Sequence, residues 1–135
     1  MAEFVFTDAS LVINSVDLSD HVESVALNYS AEPLDDTVMG DTTRSKIGGL
    51  LDWSMAVTFK QDYAASKVDA TLFSIVGTVV TVTLKPTSAA VSATNPSYSG
   101  SVLVAEYNPL GGSVGDMAVA PVALPSAGTL TRATS

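Results

Sequence analysis

Residues 51–60, LDWSMAVTFK, alternate strictly between apolar side chains and polar or small ones. A repeat of two residues is the pattern of a β-strand that buries one face. The side chains expected to point together toward a core are Leu51, Trp53, Met55, Val57 and Phe59. This segment predicts a strand with a one-sided apolar face, and it makes Trp53 a core residue.

Other segments of the chain also have strand character. They alternate in the same way or are rich in β-branched residues, and they are separated by clusters of Pro, Gly, Asn and Ser that favour turns. The predicted strands are Ser10–Val16, Val25–Ala31, Thr78–Lys85, Ser99–Tyr107, Asp116–Leu124 and Thr129–Arg132.

One amphipathic helix is predicted, from Tyr63 to Val76. Asp62 precedes it as an N-cap candidate, and Gly77 follows it where a left-handed C-cap would lie. Phe73 falls off the main apolar stripe and is expected to contact a neighbouring element. The apolar residues at helical spacing are Ala65, Val68, Leu72, Ile75 and Val76.

Between two of the predicted strands lies a polar stretch, residues 32–49, EPLDDTVMGDTTRSKIGG. It predicts a long loop, and loops of this length in small domains are usually functional or disordered. Asp35 and Asp36 raise the alternatives of a calcium loop or a catalytic carboxylate pair. The spacing matches a calcium loop only in part, which favours a solvated loop.

Several predicted strands, among them TVVTVTL, SVLVAEY and MAVAPVAL, are apolar or small on both faces, which is typical of strands covered on both sides. A chain with 47% hydrophobic and 15% charged residues has a low charged fraction for a free-standing domain. Two explanations remain open. Small residues face water in a tight sandwich, or neighbouring subunits supply the second cover.

Charge and residue types limit the functions available to the chain. The net charge of -8, with six basic residues, disfavours tight binding to nucleic-acid phosphates. There is no cysteine and one histidine, His21, expected to be an ordinary turn residue. No pattern indicates a catalytic triad, metal site or cofactor, so an enzyme is not predicted. We expect neither a membrane span nor an export signal, and therefore use in a cytoplasm.

The order of elements resembles that of the tail tube proteins, or major tail proteins, of bacteriophages with long non-contractile tails. The resemblance rests on GLLDWSMAVTFKQDYAASKVDATLFSIVG, VTVTLKP, NPSYSGSVLVAEYNPLGGSVGD and SAGTLTRAT, and it spans most of the chain. It implies a mainly β fold, a single domain over residues 1–135, in which two packed antiparallel sheets form a sandwich or barrel with one flanking helix. It also implies hexameric rings that stack into a hollow tube for DNA.

The resemblance assigns roles to two groups of residues. The long loop would reach the adjacent ring, through Asp35, Asp36, Met39, Asp41, Arg44 and Lys46. The polar side of the Leu51 strand and a later residue would face the lumen, namely Asp52, Ser54, Thr58 and Glu106.

Partners and location also follow from the resemblance. The chain would bind copies of itself and the tape measure, tail terminator and tail tip proteins, while DNA passes without specific binding. It would be assembled in the host cytoplasm and reside in the virion tail. A capsid decoration protein or an adhesive β-domain is the alternative class, as is an inner tube of a contractile tail or secretion system.

Overall fold

A computed structural model describes Val5 and residues 7–135 of the chain. In these residues the fold is mainly β, with two antiparallel sheets and one short helix, which confirms the predicted fold class. The strands are β1 (Ser10–Ile13), β2 (Val16–Asp17), β3 (Val22–Asp35), β4 (Lys46–Lys60), β5 (Val79–Lys85), β6 (Ser97–Leu103), β7 (Glu106–Tyr107), β8 (Val119–Pro125) and β9 (Thr131–Ala133).

The strands form a five-stranded sheet in the order β2-β1-β5-β6-β9 and a four-stranded sheet in the order β3-β4-β8-β7. Asn14 and Ser15 both have positive φ, as the two central residues of a tight hairpin turn require, and they join β1 to β2. This turn divides the predicted strand Ser10–Val16 into two paired strands.

The core lies between the sheets and is built by alternation in each of them. Trp53, Met55, Val57 and Phe59 of β4 are buried as predicted, and burying each such side chain contributes on the order of 1.5 to 3 kcal/mol. Leu51 is 64% exposed, contrary to the prediction, because β4 has left the sandwich at that point. The other buried apolar residues are Leu11, Ile13, Leu18, Val68, Leu72, Val80, Val82, Leu84, Val102, Val104, Ala120, Val122 and Leu124.

The predicted helix Tyr63–Val76 is wrong in its length. Helix α1 covers only Val68–Leu72 and continues as a single 3-10 turn, Phe73–Ile75. Ser66 has a φ of +62°, which a right-handed helix cannot contain.

Of the two predicted helix caps, the N-cap at Asp62 is wrong. The Asp62 carboxylate accepts a hydrogen bond from the Ala64 amide at 2.9 Å, so it closes a turn and caps no helix. Gly77, with a φ of +86°, does end the segment in the predicted left-handed conformation.

The predicted strand Ser99–Tyr107 is split between the two sheets. β6 belongs to the five-stranded sheet and β7 to the four-stranded one, with Val104 and Ala105 as the crossover. The alternation continues through the crossover because Val104 is itself buried, which is why the sequence alone indicates one strand. Among the described residues, no helix is long and apolar enough to span a membrane.

Candidate assembly interface

The β3–β4 hairpin extends beyond the rest of its sheet. β8 pairs with β4 only from Ser54 to Lys60, whereas β3 and β4 remain paired as far as Asp35 and Lys46. We call residues 30–52 the arm and residues 36–45 its tip. The arm is a two-stranded ribbon with solvent on both faces.

The predicted loop 32–49 is therefore wrong as an unstructured loop, because its two ends are strands and only residues 36–45 connect them. Pairs such as Leu34 with Ile47 continue the ladder across the arm. A β-bulge between Ala31 and Pro33 shifts the register. A ribbon exposed on both faces needs no alternation of apolar and polar residues, so the sequence gives no period-two signal there.

Hydrogen bonds within the tip give it a defined shape. The Asp35 carboxylate accepts a hydrogen bond from the Thr37 amide at 2.9 Å. It also forms an ion pair with the Arg44 guanidinium at 3.0 Å. Bonds to Thr37, then to Arg44, hold the pKa of Asp35 below its usual value. The Val38 amide donates to the Asp41 carboxylate at 3.0 Å.

The polar residues predicted for stacking thus lie together on the arm, and several of them bond within the tip. The arm also exposes apolar side chains. Met39 is fully exposed, and the other exposed apolar side chains of the arm are Leu34, Val38, Ile47, Leu50 and Leu51.

The predicted lumen residues share one face of the four-stranded sheet, the face turned away from the core, which we call the outer face. Asp52, Ser54 and Thr58 alternate with the buried residues of β4. Glu106 of β7 pairs with Ala123, which in turn pairs with Ala56 between Ser54 and Thr58. Apart from Lys60 and Glu23, the face has mainly small or uncharged side chains, among them Ser24, Ala26, Asn28, Ala56, Pro121, Ala123 and Pro125.

The outer face carries a net negative charge. The Asp52 carboxylate accepts a hydrogen bond from the Ser126 hydroxyl at 3.0 Å, so its partner there is neutral. Asn108 donates to Glu106 at 2.9 Å. Among the described residues, Lys60 is the sole cation of this face, and its ammonium lies 3.0 Å from the Glu23 carboxylate.

Among residues 7–135, the four-stranded sheet has two open edges, β3 and β7. Each strand is antiparallel to its neighbour, so with four strands the two edge strands run in opposite directions. β3 is 14 residues long, and a long unpaired edge is a template for pairing with another chain. The sheet is thus geometrically suited to continue into another copy of itself.

Exposed apolar residues also lie at two sites that the sequence did not indicate. One is the β7–β8 loop, residues 108–118, at the end of the sheet opposite the arm. It is anchored at Pro109, whose carbonyl accepts hydrogen bonds from Gln61 and Tyr63, and it exposes Leu110, Val114 and Met117.

The second site is the turn after α1 and the start of β5. Phe73, Val76 and Val79 are 69, 43 and 58% exposed there. Phe73 is thus largely exposed, and its expected contact with a neighbouring element stays a prediction.

His21 has a structural contact with the β4–α1 connection. Its Nε2 lies 2.9 Å from the Asp62 carboxylate, linking the 3-10 turn Ser19–His21 to the residues after β4. Hydrogen bonding, first from the Ala64 amide and then from His21, lowers the pKa of Asp62. Within the described part of the chain, no group of three or more His, Cys, Asp or Glu residues is arranged to hold a metal ion.

The fold is similar to that of chains in two solved particle structures. The chain is similar to a chain in the virion of a native gene transfer agent (GTA) particle, with a TM-score of 0.77, 17% identity, and coverage of 96% of this chain and 98% of that one. It is also similar to a chain of the tail of an empty GTA particle, solved by helical refinement with C6 symmetry. Here the TM-score is 0.65, the identity 18%, and the coverage 82% and 81%.

No family model matches the sequence, and neither does any curated protein. At this identity the likeness establishes the fold, and it confirms the fold that the tail tube resemblance implied. The class that the structure defines is a two-sheet sandwich of the kind found in GTA virion and tail chains.

The sequence contains only weak signals for the sites that were not predicted from it. Leu110, Val114 and Met117 are apolar residues scattered through a Gly-rich loop, and such residues in a turn cannot pack on their own element. The edge position of β3 has one sequence signal, Pro33, because proline within a sheet is found almost only on edge strands and at bulges.

Proposed function

We propose that this protein is a structural subunit that polymerises as stacked rings into the hollow tube of a phage-like tail. The observation that carries the proposal is the fold, shared over nearly the full length of both chains with a GTA virion chain. The open edges and the arm supply the contacts that such a polymer needs.

Ring closure would use the four-stranded sheet. When β7 of one copy lies beside β3 of the next, the antiparallel order continues from copy to copy, and closing the ring removes both exposed edges of the four-stranded sheet. We infer six copies per ring, in keeping with the C6 symmetry of the similar tail.

The resulting barrel would be wide enough for DNA. Four strands from each of six copies make 24 strands. With strands about 4.8 Å apart and tilted by about 40°, the barrel measures roughly 50 Å between opposite backbones. The small side chains of the outer face would take little of that width, so a DNA duplex would pass.

The outer face is the proposed wall of the lumen. Asp52 and Glu106 give it negative charge, and Glu23 neutralises Lys60. A wall of this kind repels phosphates within about 8 Å at physiological salt and offers no cation for counterion release. DNA would therefore slide through without specific binding.

Stacking would use the arm. It projects from one end of the sheet, and the 108–118 loop lies at the other, so each ring would offer arms on one side and loops on the opposite side. A contact between unlike surfaces repeats without closing and therefore builds a filament. Tape measure, terminator and tip proteins are the partners expected in the lumen and at the tube ends, in a virion tail assembled in the host cytoplasm.

Electron microscopy of the purified protein tests this function. At rising protein concentration we expect hollow rings and then tubes of uniform width, with a dilute, folded sample of the same protein as the control. A protein that stays monomeric at millimolar concentration, and is absent from tails of the particle that encodes it, would contradict the proposal.

A further inference from the structure

An apolar patch flanks the β7 edge of the four-stranded sheet. It consists of Phe73, Val76 and Val79, and the most exposed of the three is Phe73. The segment is tied to the strand crossover because the Gly77 amide donates to the Val104 carbonyl at 2.8 Å, two residues before β7 begins.

The patch lies in the layer that covers the core side of β7. Tyr107 of β7 pairs with the buried Val122, so its side chain points toward the core. Its hydroxyl donates to Asp69 of α1 at 2.8 Å. Helix α1 therefore lies over the core face of this edge strand, and the turn that follows it is bonded to the crossover just before β7.

Within the described part of the chain, the opposite edge of the same sheet lacks such a cover. Val25 and Leu27 of β3 point toward the core but are only half-buried. Together with Leu84, Pro86 and Tyr98 they line an open, mostly apolar groove of about 310 Å³, with Lys85 at its rim.

We propose that Phe73 of one copy fills the β3 groove of the next copy in the ring. The inference rests on the proposed function, because pairing of β7 with the neighbouring β3 is what brings patch and groove together. Both lie in the layer on the core side of the sheet, so a continuous sheet sets them side by side. The occupant is a second copy, since a head-to-tail contact buries every patch and fills every groove at once.

The contact also explains why the two features are apolar. An aromatic side chain buries about 150 to 250 Å² and prefers a pocket of aliphatic and aromatic partners. Strand pairing alone supplies only backbone hydrogen bonds, which any edge strand can offer. The Phe73 contact would select the correct neighbour and hold the ring closed.

Cross-linking of single-cysteine variants tests the contact directly, because the natural chain has no cysteine. Phe73→Cys and Lys85→Cys proteins are mixed, assembled and treated with a short bis-maleimide. Dimers are expected from the mixture and from neither variant alone. As a control, Val114→Cys, fully exposed in the 108–118 loop, replaces Phe73→Cys and is expected to give no dimer with Lys85→Cys.

A second measurement uses Phe73→Ser, with Val5→Ser as its matched control, because Val5 is also exposed and lies outside the patch, the groove, the arm and the 108–118 loop. We expect Phe73→Ser to need at least tenfold more protein to form rings, with an unchanged thermal midpoint, while Val5→Ser forms rings like the unaltered protein. Rings that form normally without Phe73, or that give no mixed dimer, would overturn this inference and leave the proposed function standing. If the unaltered protein forms no rings, the proposed function itself fails.

Discussion

At the residue scale, the packing around Trp53 has no spare room. The indole nitrogen donates to the Gly128 carbonyl at 2.8 Å, and the ring lies against Gly100 of β6. A Cβ at Gly100 would meet the indole at 2.6 Å and the Thr129 carbonyl oxygen at 2.9 Å. Only glycine fits at this crossing of the two sheets.

Gly100→Ala is therefore expected to destabilise the protein by about 1 to 3 kcal/mol, the usual range for overpacking a well-filled core. Chemical denaturation measures the change. Gly128→Ala is the matched control, since its Cβ would have only an ordinary contact of 3.7 Å with Ser101. Equal stability of the two variants would show that the Trp53 contact is not tight.

Ionisation of Tyr107 makes the free energy of unfolding depend on pH in the alkaline range. Burial, and then bonding to the Asp69 carboxylate, raise its pKa to about 12. The unfolded chain ionises this phenol near its ordinary pKa of 10.0, so the stabilisation is complete below pH 10 and is lost as pH rises toward 12.

Tyr107→Phe should accordingly lower the free energy of unfolding by about 1 kcal/mol at pH 8, through the lost hydrogen bond to Asp69. It should also flatten the decline above pH 10. Urea unfolding of both proteins between pH 8 and pH 11 measures the two effects. If the free energies of unfolding of the two proteins decline in parallel with pH, Tyr107 ionises alike in the folded and unfolded chains.

At the scale of secondary structure, prediction from sequence succeeded where one face of a strand is buried. Trp53 to Phe59 alternate because the core lies on one side of them, and the sequence records that difference. The arm has water on both sides, so Leu34 and Ile47 pair across it without any periodic pattern.

The length of the helix was overestimated because apolar spacing alone does not reveal the backbone conformation. Ala65 matches the apolar spacing, but Ser66 next to it adopts a left-handed conformation that no propensity indicates. The spacing of Val68 and Leu72 was correct because both are buried. Asp52, Ser54 and Thr58 share the outer face because the alternation along β4 fixes the side on which they lie, and a lumen on that side stays a prediction.

The arm provides a prediction that separates stacking from ring formation. Asp35 and Lys46 face each other directly, so a two-residue Asn-Gly turn can replace residues 36–45 without changing the register. The shortened protein should keep its thermal midpoint to within a few degrees and form rings that do not stack. Tubes of normal length, seen by electron microscopy, would rule out a stacking role for the tip.

At the scale of the whole molecule, the charge of the outer face determines whether the tube would release DNA. Glu23→Gln would free Lys60 in every subunit and set a ring of unpaired ammonium groups in the proposed lumen. Assembled tubes of this variant should retain DNA at about 50 mM salt and release it at about 200 mM, since phosphate contacts weaken steeply with salt.

Asp17→Asn is the matched control for that change. It removes the same charge from β2, at the edge of the five-stranded sheet. Co-sedimentation of tubes with a DNA duplex measures retention. Equal retention by both variants would show that overall charge matters and the outer face does not.

The central claim is that copies of this chain complete one another's four-stranded sheet around a passage. A helical reconstruction of assembled protein by cryo-electron microscopy tests it most directly. The account predicts β3 of each subunit beside β7 of the next, with Asp52 and Glu106 on the inner wall. Subunits joined through the five-stranded sheet, or with Asp52 and Glu106 on the outside of the tube, would contradict it.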